Sequence, residues 1–226
     1  MKNFRDIAVV IATLNEEEGI GLTIAELRKV IEEPWCLVVD GHSTDKTVEI
    51  AKKFGAELIT QKGRGKGDAI SEALASIACD PEYVVFTDGD YTYPAEYLPE
   101  MIKILDKNPE VGMVCGNRFN SHFHLEEMGD MFYLGNRFLA FTHNMLNGVD
   151  LRDPLTGLRV VRWKILRDWR PRSRGFDIEV ELNHLVERKG YQIEEIPIYY
   201  RNRLGEKKLK LRHGFIILKR ILAESL

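Results

Sequence analysis

Two aspartates one residue apart follow an apolar run in the middle of the chain. Val84, Val85 and Phe86 have the character of a buried strand, and Asp88 and Asp90 come at its exit. Paired carboxylates with no histidine or cysteine nearby suit a hard divalent cation, Mg²⁺ or Mn²⁺, that keeps water and shares phosphate oxygens. The pattern therefore predicts a metal site at this strand end.

Polar residues also follow the earlier apolar segments of the chain. Asn15 and Glu16 come after the first segment, Asp40 and the residues GHSTD after the second, and QKGRGKGDA, which contains Lys66, after the third. Ligands of open α/β sheets bind outside the carboxyl ends of the strands. Four such strand ends in succession favour a ligand site over ordinary polar loops.

The elements that must position these side chains alternate between apolar strands and helices. This alternation is typical of the α/β class, with a mostly parallel sheet and helices on both faces. The predicted strands are 7–13, 36–40, 56–60, 83–88, 111–116 and 191–199, and the predicted helices are about 17–32, 45–54, 66–78, 96–106, 130–146 and 176–188.

Length and composition restrict the possibilities further. The 226 residues suffice for one sizeable α/β domain, and a net charge of −3 gives no general electrostatic reason to expect a nucleic-acid partner. Cys36, Cys79 and Cys115 follow no pairing or metal-binding pattern, which favours reduced thiols in a cytosolic protein. No apolar run reaches the ~20 residues that span a bilayer, so we expect a soluble or peripheral chain.

The end of the chain is basic and then amphipathic. Arg201, Arg203, Lys207 and Lys208 follow the last predicted strand and form a natural receptor for the phosphate of an acceptor. Residues 212–226 form a predicted amphipathic helix that either packs on its own domain or lies in a membrane interface. The aromatic-rich segment 131–141 is a second candidate for a lipid-facing surface.

Several motifs occur in the order and approximate spacing found in one known family. They resemble family 2 glycosyltransferases and, more narrowly, the polyprenyl-phosphate hexose synthases that make dolichyl-phosphate mannose and glucose. The resemblance covers residues 7 to about 210. The motifs are VVIATLNEEEGI, VVDGHSTDKTVEIAKKFGAELI, GRGKGDAI, FTDGDYTYP, CGNRF, LGNRFLAFTHNMLNGVDLRDPLTGLRV, GFDIEVEL and EIPIYYRNRLGEKKLKL.

The resemblance implies a GT-A fold and an inverting, metal-dependent transferase. One catalytic domain would comprise a nucleotide-sugar half at about 1–118, an acceptor half at about 119–210 and the terminal helix at 211–226. The donor would be a UDP- or GDP-hexose, and the acceptor a polyprenyl or dolichyl phosphate. Without a membrane span, such an enzyme would attach peripherally to the cytoplasmic face of a membrane.

The resemblance also implies roles for individual residues. Asp40 would contact the nucleoside, and Glu16 and Lys66 would lie at the ribose or base. Asp88 and Asp90 would hold the metal that bridges the donor diphosphate. The remaining implied site residues are Thr13, Asn15 and Gly89 in the donor motifs, Arg118 and Asp153 near a phosphate or the departing sugar, and Arg203 and Lys208 in the basic segment.

Three positions depart from the family pattern. Ala12 and Leu14 stand where the family often has proline and tyrosine, which puts aromatic stacking on the base in doubt. Thr92 stands where many mannose synthases have glutamine, so a third protein contact to the metal is not expected. The stretch DGDYTYP is closer to glucose-type relatives.

The acceptor determines whether the reaction needs a base. A hydroxyl acceptor requires one, whereas a lipid phosphate is already anionic and can attack directly. Asp153, Glu179 and Glu181 are the candidate bases; we favour Asp153, which precedes a proline and a tight turn, and interpret Glu179 as helix polarity. Transfer to a hydroxyl of a glycan or small molecule is the first alternative. A nucleotidyltransferase or a non-catalytic nucleotide-sugar binding module is the second.

Overall fold

The computed structural model describes residues 6–119 and 130–225. The predicted strands are present with bounds that shift by no more than about two residues. Residues 1–5, 120–129 and 226 of the predicted single domain lie outside the described residues, and its division into two halves stays a prediction. The strands are β1 (Ile7–Thr13), β2 (Trp35–Asp40), β3 (Glu57–Thr60), β4 (Tyr83–Asp88), β5 (Val111–Asn117), β6 (Arg159–Arg162) and β7 (Gln192–Pro197).

The predicted helices are also present, and most are a few residues shorter than expected. A turn of 3₁₀ helix at Ala95–Tyr97 leads directly into the fourth helix. The α-helices of the described residues are α1 (Ile20–Val30), α2 (Thr47–Lys53), α3 (Lys66–Ser76), α4 (Leu98–Lys107), α5 (Asp130–Asn147), α6 (Trp163–Leu166), α7 (Ile178–Arg188) and α8 (Leu211–Glu224).

The strands form one seven-stranded sheet in the order β3-β2-β1-β4-β6-β5-β7. β1 pairs in parallel with both β2 and β4, and β2 pairs in parallel with β3. β7 pairs in parallel with β5 at the other edge. The carboxyl ends of β1, β2, β3 and β4 therefore meet at one edge of the sheet, as the sequence predicts.

One strand was not predicted. β6 lies between β4 and β5 and is antiparallel to both of them. It has four residues with an arginine at each end, which hides its strand character in the sequence. Both arginines are accommodated because Arg159 and Arg162 donate hydrogen bonds to backbone carbonyls. This strand carries the chain from the TGLRV motif back into the middle of the sheet.

Helices cover both faces of the sheet, which confirms the predicted layering. Successive residues of β1 point to opposite faces, so Val9 and Ile11 pack in one cluster with α1, while Ala8 and Val10 pack in the other with α3. The strand ends are thereby held between two apolar layers. The polar loops that follow them are left at the edge of the sheet.

The C-terminal helix α8 packs on the domain. Ile217 and Ile221 are buried in a small cluster with Leu139 of α5 and Val180 of α7. Phe215, an apolar residue of the same amphipathic helix, is instead 79% exposed. In the described part of the chain, no helix combines the length and the apolar character needed to cross a bilayer.

Candidate active site

A cavity of about 760 Å³ opens at the carboxyl ends of β1 and β4. It brings together residues that are far apart in the sequence, from the first strand to the basic segment before α8. Of the predicted site residues, its wall contains Thr13, Glu16, Lys66, Asp88, Gly89, Asp90, Arg118, Arg203 and Lys208. It also contains Gly41, His42, Gln61 and Arg64, from the polar stretches GHSTD and QKGRGKGDA that follow the second and third strands, and Tyr93, Gly157, Glu179 and Tyr200.

Asp88 ends β4 inside this cavity and is paired with a buried lysine. Lys66 Nζ lies 2.7 Å from Asp88 Oδ1 and 2.8 Å from Glu179 Oε1. Burial alone would lower the pKa of Lys66, but the two carboxylates outweigh it and raise that pKa well above its usual value. Lys66 is therefore a fixed positive charge between two carboxylates of the cavity.

Asp90 lies deeper than Asp88 and is only 2% exposed. Its Oδ1 accepts hydrogen bonds from Thr92 N at 3.1 Å and Thr92 Oγ1 at 2.6 Å, and its Oδ2 pairs with Arg203. Burial, followed by the neighbouring charge of Asp88, raises the pKa of Asp90. Thr92 thus anchors the carboxylate of Asp90.

Arg203 also links the basic segment to the first strand. One of its nitrogens pairs with Asp90 and another pairs with Glu16, while Lys208 Nζ lies 3.5 Å from Glu16 Oε1. Burial is the main cause that raises the pKa of Glu16 to about 7, against the lowering effect of Arg203. Arg203 therefore lies against Glu16 and Asp90, and Lys208 against Glu16, which are residues that the family resemblance assigns to the donor side. Arg201, in the same basic segment, pairs instead with Glu26.

Arg118 and Asp153 form a buried, two-pronged ion pair. Arg118 Nε donates to Asp153 Oδ2 at 2.6 Å, Arg118 Nη2 donates to Oδ1 at 2.7 Å, and the Arg118 backbone N–H donates to Oδ2 at 3.0 Å. Asp153 is fully buried, and Arg118 reaches the cavity wall. The geometry gives no support to Asp153 as a base, because both of its oxygens hold Arg118 in place.

Asp40 and Asn15 organise the loops behind the cavity wall. Asp40 Oδ2 accepts hydrogen bonds from the backbone N–H groups of His42 at 3.0 Å and Ser43 at 3.1 Å. Asn15 Oδ1 accepts from Thr44 N at 2.8 Å, which ties the first loop to the second. As a result the wall beside Asp40 is formed by the residues that follow it, Gly41 and His42.

Glycines are required where the loops approach one another. A Cβ atom on Gly89 would lie 2.7 Å from Thr13 Cγ2, closer than real side chains come. A Cβ atom on Gly157 would lie 2.6 Å from Asp88 Oδ2. These two glycines let the strand ends and the 153–157 turn come together around the aspartates.

Glu179 is one of the three candidate bases in the sequence, with helix polarity as the favoured interpretation. In the structure it is only 7% exposed, lines the cavity and holds Lys66. Glu181, two residues on, instead accepts hydrogen bonds from Ser173 N and Arg172 N. Residues two apart on a helix do not share a face, and this spacing was the available signal that the two glutamates serve different purposes.

The aspartate pair has the right chemistry for a divalent cation. Among the described residues, no group of three or more histidine, cysteine, aspartate or glutamate side chains is arranged to hold a metal. An ion at Asp88 and Asp90 would thus take its other ligands from water and a bound diphosphate, as Mg²⁺ commonly does. The Asp88 side chain is 29% exposed and Asp90 is almost fully buried, so the residues present fit an ion that enters the cavity and meets Asp88 first.

Comparisons with known proteins agree with this fold. Glucosyl-3-phosphoglycerate synthase from Mycobacterium tuberculosis, solved in complex with Mn²⁺, UDP-glucose and phosphoglyceric acid, superposes with a TM-score of 0.77 at 23% identity. The match covers 98% of this chain and 80% of that chain. The architecture is therefore that of the GT-A glycosyltransferases.

The sequence comparisons identify the family. The profile of Glycosyl transferase family 2 matches residues 8–169, and the chain belongs to this family and is a glycosyltransferase. It is 37% identical over 208 residues to the dolichyl-phosphate hexose transferase of Haloferax volcanii, covering 91% of this chain and 87% of that one. It is 33% identical over 196 residues to glycosyltransferase AglJ of the same organism, covering 86% of this chain but only 62% of AglJ.

Proposed function

We propose that this glycosyltransferase moves a hexose from a UDP- or GDP-hexose to a polyprenyl or dolichyl phosphate, with inversion and with Mg²⁺ or Mn²⁺ as cofactor. One observation carries the proposal: the cavity holds a carboxylate pair, Asp88 and Asp90, and two cations, Arg118 and Lys207, in the same wall. The carboxylate pair would suit a metal-bound diphosphate, and the cations would suit the phosphate of the acceptor. The name of the Haloferax volcanii relative supports this acceptor.

The donor would occupy the part of the cavity at the ends of β1 and β2. Thr13, Gly41 and His42 line that part, and the nucleoside would lie against them. A divalent cation bound by Asp88 and Asp90 would neutralise the charge that grows on the leaving diphosphate. Lys66, fixed between two carboxylates, adds a permanent positive charge at the same place.

The acceptor phosphate would lie against the cations that face the donor. Partial burial, and then the charges of Arg118 and Arg203, lower the pKa of Lys207. Arg118 also lies over the ring of Tyr200, with 5.4 Å between its guanidinium carbon and the ring centroid. The charges of Arg118 and Arg203 thus act unfavourably on the Lys207 ammonium, and a bound phosphate would offset that effect.

The geometry favours a phosphate over a hydroxyl acceptor. A hydroxyl would need a carboxylate within reach to remove its proton, but Asp153 is held by Arg118 and Glu179 by Lys66. A phosphate needs no such base because it is already an anion at neutral pH. A thermal-shift panel of UDP- and GDP-hexoses with Mn²⁺ first identifies the donor. Transfer of its hexose to polyprenyl phosphate is then compared with transfer to free sugars, which separates a phosphate acceptor from a hydroxyl acceptor.

A lysine substitution tests the acceptor side of this proposal. Lys207→Ala is expected to raise KM for polyprenyl phosphate by about 10-fold, since one charge-assisted interaction worth roughly 1.5 kcal/mol is lost. The donor affinity is expected to stay unchanged in the same variant. Steady-state kinetics and calorimetry measure the two quantities. Lys62→Ala is the control, because the Lys62 side chain is 87% exposed; an equal loss of donor affinity in Lys207→Ala would place this lysine on the donor instead.

An apolar surface on α5 gives the protein a way to reach a membrane-bound acceptor. Leu134, Phe138, Phe141 and Met145 recur at helical spacing and are 58–65% exposed. Phe215 of α8, which packs beside α5, is also exposed, and the same two helices carry the exposed Arg137, Arg212 and Lys219. The side chains of Met131 and Phe132, part of the predicted lipid-facing segment, lie outside the described residues. We propose peripheral attachment to the cytoplasmic face of a membrane through this surface.

Vesicle binding tests the attachment. The double variant Leu134→Ser/Phe141→Ser is expected to bind anionic vesicles at least roughly 10-fold more weakly, because each apolar side chain contributes about 1.5 kcal/mol or more when buried. Binding of the unaltered protein is expected to fall as salt rises. Deleting 212–226 would be a poorer test, since it removes Ile217 and Ile221 from the core.

The control for this experiment is an exposed leucine on another face. Leu22 of α1 is 48% exposed, and Leu22→Ser is expected to leave vesicle binding unchanged. Co-sedimentation with vesicles of stated anionic lipid content measures all the variants. If the unaltered protein binds no vesicle at any salt concentration, attachment through this surface is wrong.

A further inference from the structure

A fully buried arginine contacts the turn at residues 153–157, which lies between Arg118 and Asp88. Arg159, at the start of β6, is 1% exposed. Its Nε donates to Thr156 O at 2.9 Å and its Nη2 donates to Pro154 O at 2.6 Å. Its guanidinium therefore holds two backbone carbonyls of the 153–157 turn.

The hydrogen-bond partners of Arg159 are neutral groups, and the nearby carboxylate on which its charge acts, Glu195, is not one of them. Besides the two carbonyls, Arg159 Nη1 donates to Asn183 Oδ1 at 2.5 Å and lies 3.8 Å from Met113 Sδ. Asn183 is itself fully buried and donates from Nδ2 to Pro154 O at 3.0 Å. Burying a charge among neutral acceptors costs free energy compared with an apolar side chain of the same volume. Because of this cost, we look for a role of Arg159 other than stabilising the fold.

The 153–157 turn contacts the proposed acceptor side of the cavity at one end and the aspartate pair at the other. At one end Asp153 fixes the guanidinium of Arg118. At the other end Gly157 N donates to Tyr93 OH at 2.7 Å, and Gly157 packs against Asp88. The conformation of the turn therefore sets how far the proposed acceptor cation lies from the proposed metal carboxylate.

We propose that Arg159 is a positioning residue for glycosyl transfer, acting through the 153–157 turn to fix the separation between Arg118 and Asp88. The inference rests on the proposed function for its kinetic consequence, but not for its geometry. Loss of Arg159 would leave donor binding intact and would misplace the acceptor phosphate relative to the donor. Misplacements of about 1 Å can lower catalytic rates by roughly 10²-fold.

Arg162 provides a matched control on the same strand. It lies three residues after Arg159, and its guanidinium also donates to backbone carbonyls, namely those of Val111, Leu105 and Asn108. Those carbonyls lie at the end of α4 and the start of β5, away from the turn. Arg159→Met and Arg162→Met thus remove comparable structural interactions, and only the first loosens the turn.

The kinetic experiment compares these two variants with the unaltered protein. In Arg159→Met, kcat with polyprenyl phosphate is expected to fall at least about 10-fold further than in Arg162→Met, with the dissociation constant of the nucleotide-sugar donor unchanged within about 2-fold. If Arg159→Met does not fold, Asn183→Ala, which removes one partner of Arg159, is expected to show the same pattern with a smaller loss. Equal losses of kcat in the Arg159 and Arg162 variants would overturn the proposal.

A second measurement does not depend on the reaction. Nuclear magnetic resonance of ¹⁵N-labelled arginine side chains reports the Nε–H group of Arg118, assigned from the Arg118→Lys spectrum. Its slow exchange with solvent is expected to be retained in Arg162→Met and lost in Arg159→Met. If the unaltered protein transfers no sugar to polyprenyl phosphate, the proposed function fails while this measurement still decides the positioning role. Retained slow exchange in Arg159→Met would contradict that role.

Discussion

Asp88→Asn and Asp90→Asn are each expected to lower kcat by roughly 10²-fold or more, because each removes a charge that holds the cation on the leaving diphosphate. Asparagine keeps the shape of aspartate and one acceptor oxygen, so Thr92 can still bond to residue 90. The folded structure is therefore expected to survive both substitutions. The unaltered enzyme is expected to lose its activity in EDTA and to regain it with Mn²⁺ or Mg²⁺.

Two measurements complete this test. Titration of Mn²⁺ in the presence of UDP or GDP, followed by electron paramagnetic resonance, is expected to show weakened binding in both variants. Asp106→Asn is the control, because Asp106 accepts a hydrogen bond from Tyr83 on another part of the domain. Near-normal activity in EDTA, or normal Mn²⁺ binding by both variants, would contradict a metal site at this pair.

Asp153→Ala is expected to destabilise the protein by about 3–5 kcal/mol, since it leaves the Arg118 guanidinium buried without its partner. Arg118→Met is expected to destabilise it by a similar amount for the reciprocal reason. The double variant Arg118→Met/Asp153→Leu is expected to recover much of this stability, because apolar side chains tolerate the same surroundings. It is not expected to recover activity, because the proposed phosphate contact of Arg118 is absent.

Denaturant unfolding and transfer kinetics separate the two effects. Arg167→Ala is the matched control, because its ion pair with Asp80 is exposed, and such pairs contribute about 0–1 kcal/mol. Near-normal stability in both single variants would show that Arg118 and Asp153 are not coupled. An active double variant would exclude Arg118 from the acceptor site.

The fold was predictable from the sequence because its strands are apolar runs between clear helical segments. Val84, Val85 and Phe86 identify β4 without any partner strand, and the polar residues after it mark the edge where the ligand site lies. Strand β6 could not be predicted in this way. Its terminal arginines look polar, and only the folded chain shows the carbonyls that Arg159 and Arg162 meet.

The roles of the site residues were less predictable, because they depend on partners that are distant in the sequence. Asp153 resembled a base until its pairing with Arg118, 35 residues earlier, became visible. Arg203 resembled part of an acceptor receptor, and it folds back onto Glu16 and Asp90. Motif spacing identifies which residues share a site, but it does not show which charges neutralise one another.

Transfer of labelled hexose to a polyprenyl phosphate tests the central claim most directly when the same polyprenol without its phosphate is used in parallel. The acceptors have the same lipid chain, so any difference reports the phosphate alone. With the donor identified by thermal shift and with Mn²⁺ present, the enzyme is expected to label the phosphate lipid with inverted anomeric configuration and to leave the polyprenol unlabelled. Equal labelling of both lipids, or labelling of free sugars in preference to either, would contradict the account.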